Sequence, residues 1–107
     1  MKRGDLVTVA LSGDYGKPRP ALIIQSDLFA ALPSMTVLPI TNDLTQASLL
    51  RIFLAPTPEN GLQKPSQIMI DKIVTVPSKK LGTPFGRVND DTLVSVNRAL
   101  ALFLAFA

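Results

Sequence analysis

The sequence predicts a mainly β fold: a small, strongly bent β-barrel closed by one C-terminal α-helix. Two observations carry this prediction. Short β-rich runs alternate with turn residues through the first two-thirds of the 107 residues, and apolar residues at helical spacing follow near the end. No internal repeat or long linker divides the chain, so we expect one domain over residues 1–107. The number of strands alone fits either an SH3-like barrel or an OB-fold.

The predicted strands are short and end at turn residues. They span residues 6–11, 21–25, 35–40, 49–54 and 67–76. Residues 21–25 form a continuous aliphatic run, typical of a strand buried on both faces, whereas residues 49–54 alternate as in a half-exposed strand. The last strand is expected to bend where Asp71 and Lys72 interrupt its apolar residues. One helical turn fits within residues 26–33.

The closing helix is predicted from its capping residues and its apolar spacing. Asn89 is the expected N-cap, and Asp90 and Asp91 place negative charge in the first turn, where the helix dipole favours it. An apolar stripe follows at helical spacing, formed by Leu93, Val96, Leu100, Phe103 and Leu104. Leu102 and Phe106 fall on a second apolar face, which fits either fraying of the terminus or contact with another protomer in a homodimer, and we favour the contact.

The composition limits the chemistry open to this chain. It contains no Cys and no His, which excludes a thiol nucleophile, a thiolate or histidine metal site and a histidine proton shuttle. The 8 acidic residues are scattered, so no metal and no cofactor is expected. A net charge of +3 permits a nucleic-acid partner, while 47% hydrophobic against 18% charged residues favours a dimer. Neither a signal peptide nor a membrane-spanning segment is predicted, and we expect the protein in the cytoplasm.

One short segment is a candidate anion-binding element. Arg19 lies between Pro18 and Pro20, immediately before the aliphatic run of residues 21–25. Each proline fixes its own φ angle and disfavours helix in the residue before it. We therefore expect Arg19 to present its guanidinium stiffly at the start of a strand, in a position suited to bind an anion.

Five segments form a recognisable series along the chain. They are Lys2-Arg3-Gly4-Asp5, the Arg-Pro-aliphatic run 19–24, Val37-Leu38-Pro39-Ile40-Thr41, residues 67–73, and Lys80-Leu81-Gly82 with the terminal helix. This series resembles the MazF/PemK family of toxin endoribonucleases, and the resemblance favours the SH3-like (CcdB/MazF-type) barrel. Residues 14–18 depart from the family's usual first loop, so its RNA sequence preference is not carried over. Lys72 stands where Gln is frequent, and Met69 stands where some members have a second arginine.

The resemblance implies metal-independent cleavage of single-stranded RNA at a short motif, by attack of the ribose 2′-hydroxyl on the adjacent phosphate. It implies 2′,3′-cyclic phosphate and 5′-hydroxyl ends, with Arg19 and Thr41 as the catalytic residues. RNA-binding roles are expected for Tyr15, Lys17, Ser26, Asn42, Asp71 and Lys72. The implied partners are a second copy of the chain and an antitoxin whose flexible acidic segment competes for the RNA groove.

Other interpretations stay open beside this one. The fold also fits a gyrase-poisoning toxin resembling CcdB, although that class acts through a Trp-Gly-Ile tip and this chain has no Trp. A non-catalytic RNA-binding barrel is a further alternative. At the residue level, Thr41 alone is typical of a loop hydroxyl bonded to its own backbone. Asp71 can pair with Lys72 or Arg51, and the general base is open among Asp71, Thr41 and a water.

Overall fold

The chain folds as one curled antiparallel sheet followed by a helix, in a computed structural model that describes residues 1–10, 17–46 and 49–106. The described strands are β1 (Asp5–Val9), β2 (Arg19–Ile23), β3 (Ser34–Thr41), β4 (Arg51–Leu54), β5 (Ser66–Met69), β6 (Val74–Pro77) and β7 (Gly86–Arg87). Helix α1 spans Asp90–Leu104, and 3-10 segments lie at Asp27–Phe29, Ile70–Lys72 and Ser78–Lys80. The mainly β architecture with a closing helix is confirmed. Among the described residues, no helix combines the length and the apolar character needed to cross a membrane.

Strand β3 is the centre of the sheet because both of its edges are paired. The strands follow the order β4-β5-β3-β2-β1-β7, and β6 also pairs with β3. One edge of β3 meets β2, while on the other edge its last residues pair with β5 and its first residues pair with β6. The 3-10 segment Ile70–Lys72 separates β5 from β6. The predicted bend at Asp71 and Lys72 is thereby confirmed, and the sheet curls into a half-barrel.

Strands β1, β2 and β3 bury side chains on both faces of the sheet. One cluster, which includes residues of α1, contains Leu6, Leu22, Leu38, Ile68, Val96 and Leu100. A second cluster contains Val7, Val9, Ala21, Ile23, Val37 and Val76. Residues of β2 alternate between the clusters, which confirms the prediction of a strand covered on both sides. Burial of each large aliphatic side chain contributes about 1.5–3 kcal/mol, so the core holds β2 and β3 firmly.

Helix α1 begins at the predicted capping residue. The Asn89 Oδ1 accepts a hydrogen bond from the Thr92 N–H at 2.8 Å, which satisfies one of the free amides of the first turn. At the other end, Ala105 adopts a left-handed conformation with φ of 63°, and its N–H donates to the Ala101 carbonyl. Both ends of the helix are therefore closed by local hydrogen bonds.

The apolar stripe of α1 is only partly buried. Leu93, Val96 and Leu100 pack into the core, whereas Phe103 and Leu104 are each 41% exposed. The reason is that the core cluster ends with Leu100, and the last turn of the helix extends past it. The exposed apolar residues at this end, which we call the helix-end patch, are Leu102, Phe103, Leu104 and Phe106.

Candidate active site

A groove opens where β2 begins and β3 ends. It has a volume of about 540 Å³, and its lining comes from these two strands, the turn after β3, and the region that joins β5 to β6. Four residues singled out in the sequence lie in this lining: Arg19, Thr41, Asn42 and Lys72. We call this site the Thr41 groove. The fold therefore brings together side chains that come from three separate parts of the chain.

Arg19 and Thr41 lie at the same end of the β2–β3 pair. The pairing of β2 with β3 ends at Ala21 with Pro39, and Arg19 and Thr41 lie two residues beyond this pair on their own strands, in positions that would face each other if the register continued. On its other edge, Thr41 pairs with Gln67 of β5. Both side chains also line the Thr41 groove. The guanidinium and the hydroxyl are thus placed to reach the same bound group.

The Thr41 hydroxyl is oriented by the turn that follows it. Its Oγ1 accepts a hydrogen bond from the Asp43 N–H at 3.0 Å. This is the local backbone contact that the sequence left open as an alternative to catalysis. A hydroxyl has one proton to donate and two lone pairs, so accepting this bond leaves its proton available to a ligand. The contact and a catalytic role are therefore compatible.

Positive charge dominates the Thr41 groove. Arg19 and Lys72 line it, and Asp43 is the one acidic residue of the described lining. Among the described residues, the ion pair that forms joins Arg87 to Asp5 at 3.1 Å. Neither Arg19 nor Lys72 therefore forms an ion pair with a carboxylate of the described residues. Arg19 is exposed and can donate two parallel hydrogen bonds to a phosphate. Within residues 1–10, 17–46 and 49–106, no three acidic side chains converge as a metal site.

A buried amide holds the loop after β3 in place. Gln67 is only 5% exposed, and its Nε2 donates to the Thr45 carbonyl at 2.9 Å while its Oε1 accepts from the Thr45 N–H at 3.2 Å. Asn42 and Asp43, which lie between Thr41 and Thr45, line the groove. Sequence reasoning missed this role of Gln67. No local pattern in the sequence marked it, because Gln67 follows Ser66 at the polar start of its strand.

Two further candidates, Lys17 and Ser26, lie in the chain just before and just after β2. Lys17 is exposed and stands two residues before Arg19. Ser26 caps the 3-10 segment Asp27–Phe29, because its hydroxyl oxygen accepts from the Leu28 N–H at 3.2 Å. Ser26 is not part of the lining of the Thr41 groove.

The remaining candidates are Asp71 and Tyr15. Asp71 lies in the 3-10 segment between β5 and β6, outside the groove lining. Its Oδ1 is buried and has no hydrogen-bond partner among the described residues. No ion pair between Asp71 and Lys72 or Arg51 is found in that part of the chain. Tyr15, the residue expected to stack a base, lies outside the described residues.

The fold and its cationic groove define the class of protein. Residues 2–104 match the family of PemK-like, MazF-like toxins of type II toxin–antitoxin systems, which covers nearly the whole chain. The chain belongs to this family, and the resemblance carried by its five sequence segments is confirmed.

Curated relatives align along the full chain. The probable endoribonuclease MazF of Mycolicibacterium smegmatis is 50% identical over 108 residues, covering 100% of this chain and 99% of the relative. Endoribonuclease EndoA of Bacillus subtilis is 28% identical over 110 residues, covering 98% and 95%. Both relatives carry the name of an RNA-cleaving enzyme.

Solved structures confirm the predicted fold class. A mycobacterial endoribonuclease in complex with its cognate antitoxin superposes with a TM-score of 0.84 at 19% identity, covering 100% of this chain and 97% of that one. The Mycobacterium tuberculosis toxin MazF-mt6 superposes with a TM-score of 0.80 at 24% identity, covering 94% and 96%. The chain therefore has the MazF-type barrel, and the OB-fold alternative is wrong.

Proposed function

We propose that this chain is the endoribonuclease toxin of a toxin–antitoxin pair and that it cleaves single-stranded RNA at a short sequence motif. The observation that carries the proposal is that Arg19 and Thr41 line one cationic groove. A relative that is 50% identical along its whole length and is named an endoribonuclease supports the same activity.

The proposed reaction uses a nucleophile that belongs to the substrate. The ribose 2′-oxygen attacks the adjacent phosphorus, the bond to the 5′-oxygen breaks, and the ends are a 2′,3′-cyclic phosphate and a 5′-hydroxyl. The 2′-hydroxyl loses its proton and the leaving 5′-oxygen gains one. Because no water has to be activated as the nucleophile, the route requires neither a metal ion nor a cofactor. The protein's task is to align the attack and to stabilise negative charge on the phosphate.

Arg19 and Thr41 suit this task. The Arg19 guanidinium can donate two parallel hydrogen bonds to the non-bridging phosphate oxygens, and it stays charged at any working pH. The Thr41 hydroxyl can donate a third bond to the same oxygens. Asp71 lies outside the groove lining, so we assign the proton transfer to Thr41 or a water rather than to this carboxylate.

The other proposed RNA contacts follow from charge and position. Lys72 in the groove and the exposed Lys17 bind backbone phosphates, and Asn42 supplies an amide beside Arg19. A base stacks on Tyr15 in the proposed complex. Ser26 and Asp71 receive no direct RNA contact in this scheme. We expect the proposed activity in the cytoplasm, where messenger RNA is translated.

Two protein partners belong to the proposal. A flexible acidic antitoxin segment binds the cationic Thr41 groove in competition with RNA, as coupled folding and binding allows. A second copy of the chain covers the helix-end patch, because an exposed cluster of large apolar side chains on a small protein is typical of an interface.

Digestion of a long single-stranded RNA by the purified protein in EDTA tests the function. The expected result is cuts at a recurring short motif that carry 2′,3′-cyclic phosphate ends. Arg19→Ala should abolish the cuts, whereas Arg98→Ala on the exposed face of α1 should keep them. Intact RNA at micromolar wild-type protein would refute the nuclease, and equal cutting by Arg19→Ala would refute the assigned site.

A further inference from the structure

A second groove adjoins the first at Arg19. It has a volume of about 520 Å³ and shares Arg19, Ile40 and Asn42 with the Thr41 groove. Its lining also includes Lys64, from the loop between β4 and β5, and Phe85, immediately before β7. We call it the Phe85 groove. Because the two grooves meet at Arg19, a polymer bound in one of them can continue into the other.

The lining of the Phe85 groove has the chemistry of a nucleotide site. Arg19 and Lys64 supply positive charge, and the described lining contains no acidic residue. Phe85 is 38% exposed, which leaves part of its ring open to a ligand. Asn42 and Gln63 carry amides that both donate and accept hydrogen bonds, as the edge of a base requires. Neither Lys64, Gln63 nor Phe85 takes part in the function proposed above.

The backbone around Phe85 is held in place by hydrogen bonds to β1 on one side and to the loop between β4 and β5 on the other. The Phe85 N–H donates to the Leu6 carbonyl at 2.9 Å, and the Arg87 N–H donates to the Glu59 carbonyl at 2.8 Å. Gly61 has a φ of +67°, and a side chain there would lie 2.6 Å from the Phe85 carbonyl oxygen, so the loop passes directly against Phe85. A surface that is ordered before binding loses little conformational entropy when a ligand stacks on it.

We propose that the Phe85 groove binds the RNA nucleotide next to the cleaved bond, with its base stacked on Phe85 and a backbone phosphate bound by Lys64. The inference rests on the proposed function, which places the cleaved phosphate at Arg19. Single-stranded RNA offers a flat base and a phosphate at every step, and this pair of groups matches an aromatic ring beside a lysine. The base held in this groove contributes to the sequence preference of the enzyme.

Binding of RNA that cannot be cut tests the stacking contact. A random-sequence 2′-O-methyl oligoribonucleotide has no free 2′-hydroxyl, so its affinity can be measured whether or not the protein is a nuclease. Phe85→Ala is expected to bind about tenfold more weakly, the size of one lost base–aromatic stack, and Phe85→Tyr is expected to bind like the wild type. Phe29→Ala truncates an exposed phenylalanine outside both grooves and is the control. Equal affinity of Phe85→Ala and wild type overturns the proposal.

The salt dependence of binding tests the phosphate contact. Lys64→Ala is expected to lower the slope of log Kd against log salt by about 0.7, the value for one phosphate contact on a single strand. Lys79→Ala, an exposed lysine outside both grooves, should leave the slope unchanged. An unchanged slope for Lys64→Ala overturns its assignment. A polyglutamate peptide provides the opposite test. If the Phe85 and Lys64 variants bind this peptide more weakly but bind RNA as the wild type does, the groove belongs to an acidic protein segment instead.

Mapping of cut ends separates this inference from the proposed function. Phe85→Ala is expected to relax the base preference beside the cut while the cyclic phosphate ends are kept. The nucleotide bound at Phe85 lies on one side of the cut. Removing substrate nucleotides from that side should abolish the difference in base preference between Phe85→Ala and wild type, whereas removing them from the other side should not. Intact RNA with the wild-type protein would refute the nuclease. If the wild type cuts RNA, and Phe85→Ala cuts at the same motif and binds with the same affinity, only the Phe85 subsite is refuted.

Discussion

Gln67 and Thr45 are joined through both ends of one side-chain amide, which donates to the Thr45 carbonyl and accepts from the Thr45 N–H. Gln67 also pairs with Thr41 in the sheet, so one residue fixes both the end of β3 and the loop that follows it. The loop residues Asn42 and Asp43 line the Thr41 groove. The shape of the groove therefore depends on a residue that is not in its lining.

Gln67→Leu should impair catalysis more than substrate binding. Loss of both amide bonds releases the loop, and a displacement of about 1 Å can lower a rate by about 10²-fold. We expect kcat to fall by about 10- to 100-fold with a smaller change in KM, because Arg19 is untouched. Steady-state kinetics on a short RNA that contains the mapped motif measures the split.

Gln25→Leu is the matched control for that experiment. Its amide makes similar bonds, donating to the Phe29 carbonyl and accepting from the Thr36 N–H, away from the Thr41 groove. Both variants should lose about 1–3 kcal/mol of stability, since each leaves buried or half-buried backbone groups unpaired. An equal fall in kcat for the two variants would mean that Gln67 acts only through stability.

Thr41→Val and Thr41→Ser separate the contribution of the Thr41 hydroxyl to cleavage from the contribution of its branched shape. Valine keeps the branched side chain but cannot donate to phosphate, so the single-turnover cleavage rate should fall by about 10²-fold. Serine keeps the hydroxyl and should retain most of the rate. Wild-type cleavage by Thr41→Val would show that the hydroxyl only closes the turn with Asp43.

Gly86→Ala should destabilise the fold. A methyl group at this position would overlap the backbone carbonyl of Asn60, which cannot move without shifting the loop between β4 and β5. We expect a loss of about 1–3 kcal/mol, seen as a fall of several degrees in Tm by circular dichroism. In Gly82→Ala the closest atom would be the Thr8 hydroxyl oxygen, which belongs to a side chain that can rotate, so the loss should be smaller. The reverse order of the two variants would contradict this account.

The helix-end patch should control self-association. Leu102→Ser combined with Phe106→Ser removes two of its exposed apolar side chains and should shift the protein toward monomer. Val94→Ser, a change at an exposed position near the start of the same helix, should not. Sedimentation velocity over a range of protein concentrations measures the change. An unchanged mass distribution in the double variant would place the dimer interface elsewhere.

The strands and the helix start could be predicted from local patterns. The buried β2, the core contacts of Ile52 and Leu54 beside the exposed Phe53, and the Asn89 cap follow local patterns and are confirmed. The bounds of β2 were wrong, since it spans Arg19–Ile23 and not residues 21–25. Strand β7 could not be predicted, because its two residues carry no periodicity and are extended by pairing with β1. The exposure of Phe103 and Leu104 also had no local signal, since it depends on where the core beneath the helix ends.

The site was predictable only in part. Arg19 and Thr41 were assigned through a family resemblance, and the antiparallel pairing of β2 with β3 brings them to one groove. Gln67, and Phe85 of the proposed nucleotide subsite, were missed for a physical reason. Each acts through segments distant in sequence, the loop ending at Thr45 and the loop around Gly61, and periodicity within a strand carries no information about such contacts.

The central position of β3 delays the appearance of the groove during translation. Arg19 and Thr41 are made early, but β3 has no partner on its outer edge until β5 and β6 leave the ribosome. At roughly 5–20 residues per second, synthesis reaches Gln67 only about one to five seconds after Thr41. The two side chains proposed for catalysis are therefore present on the nascent chain before the sheet that aligns them exists.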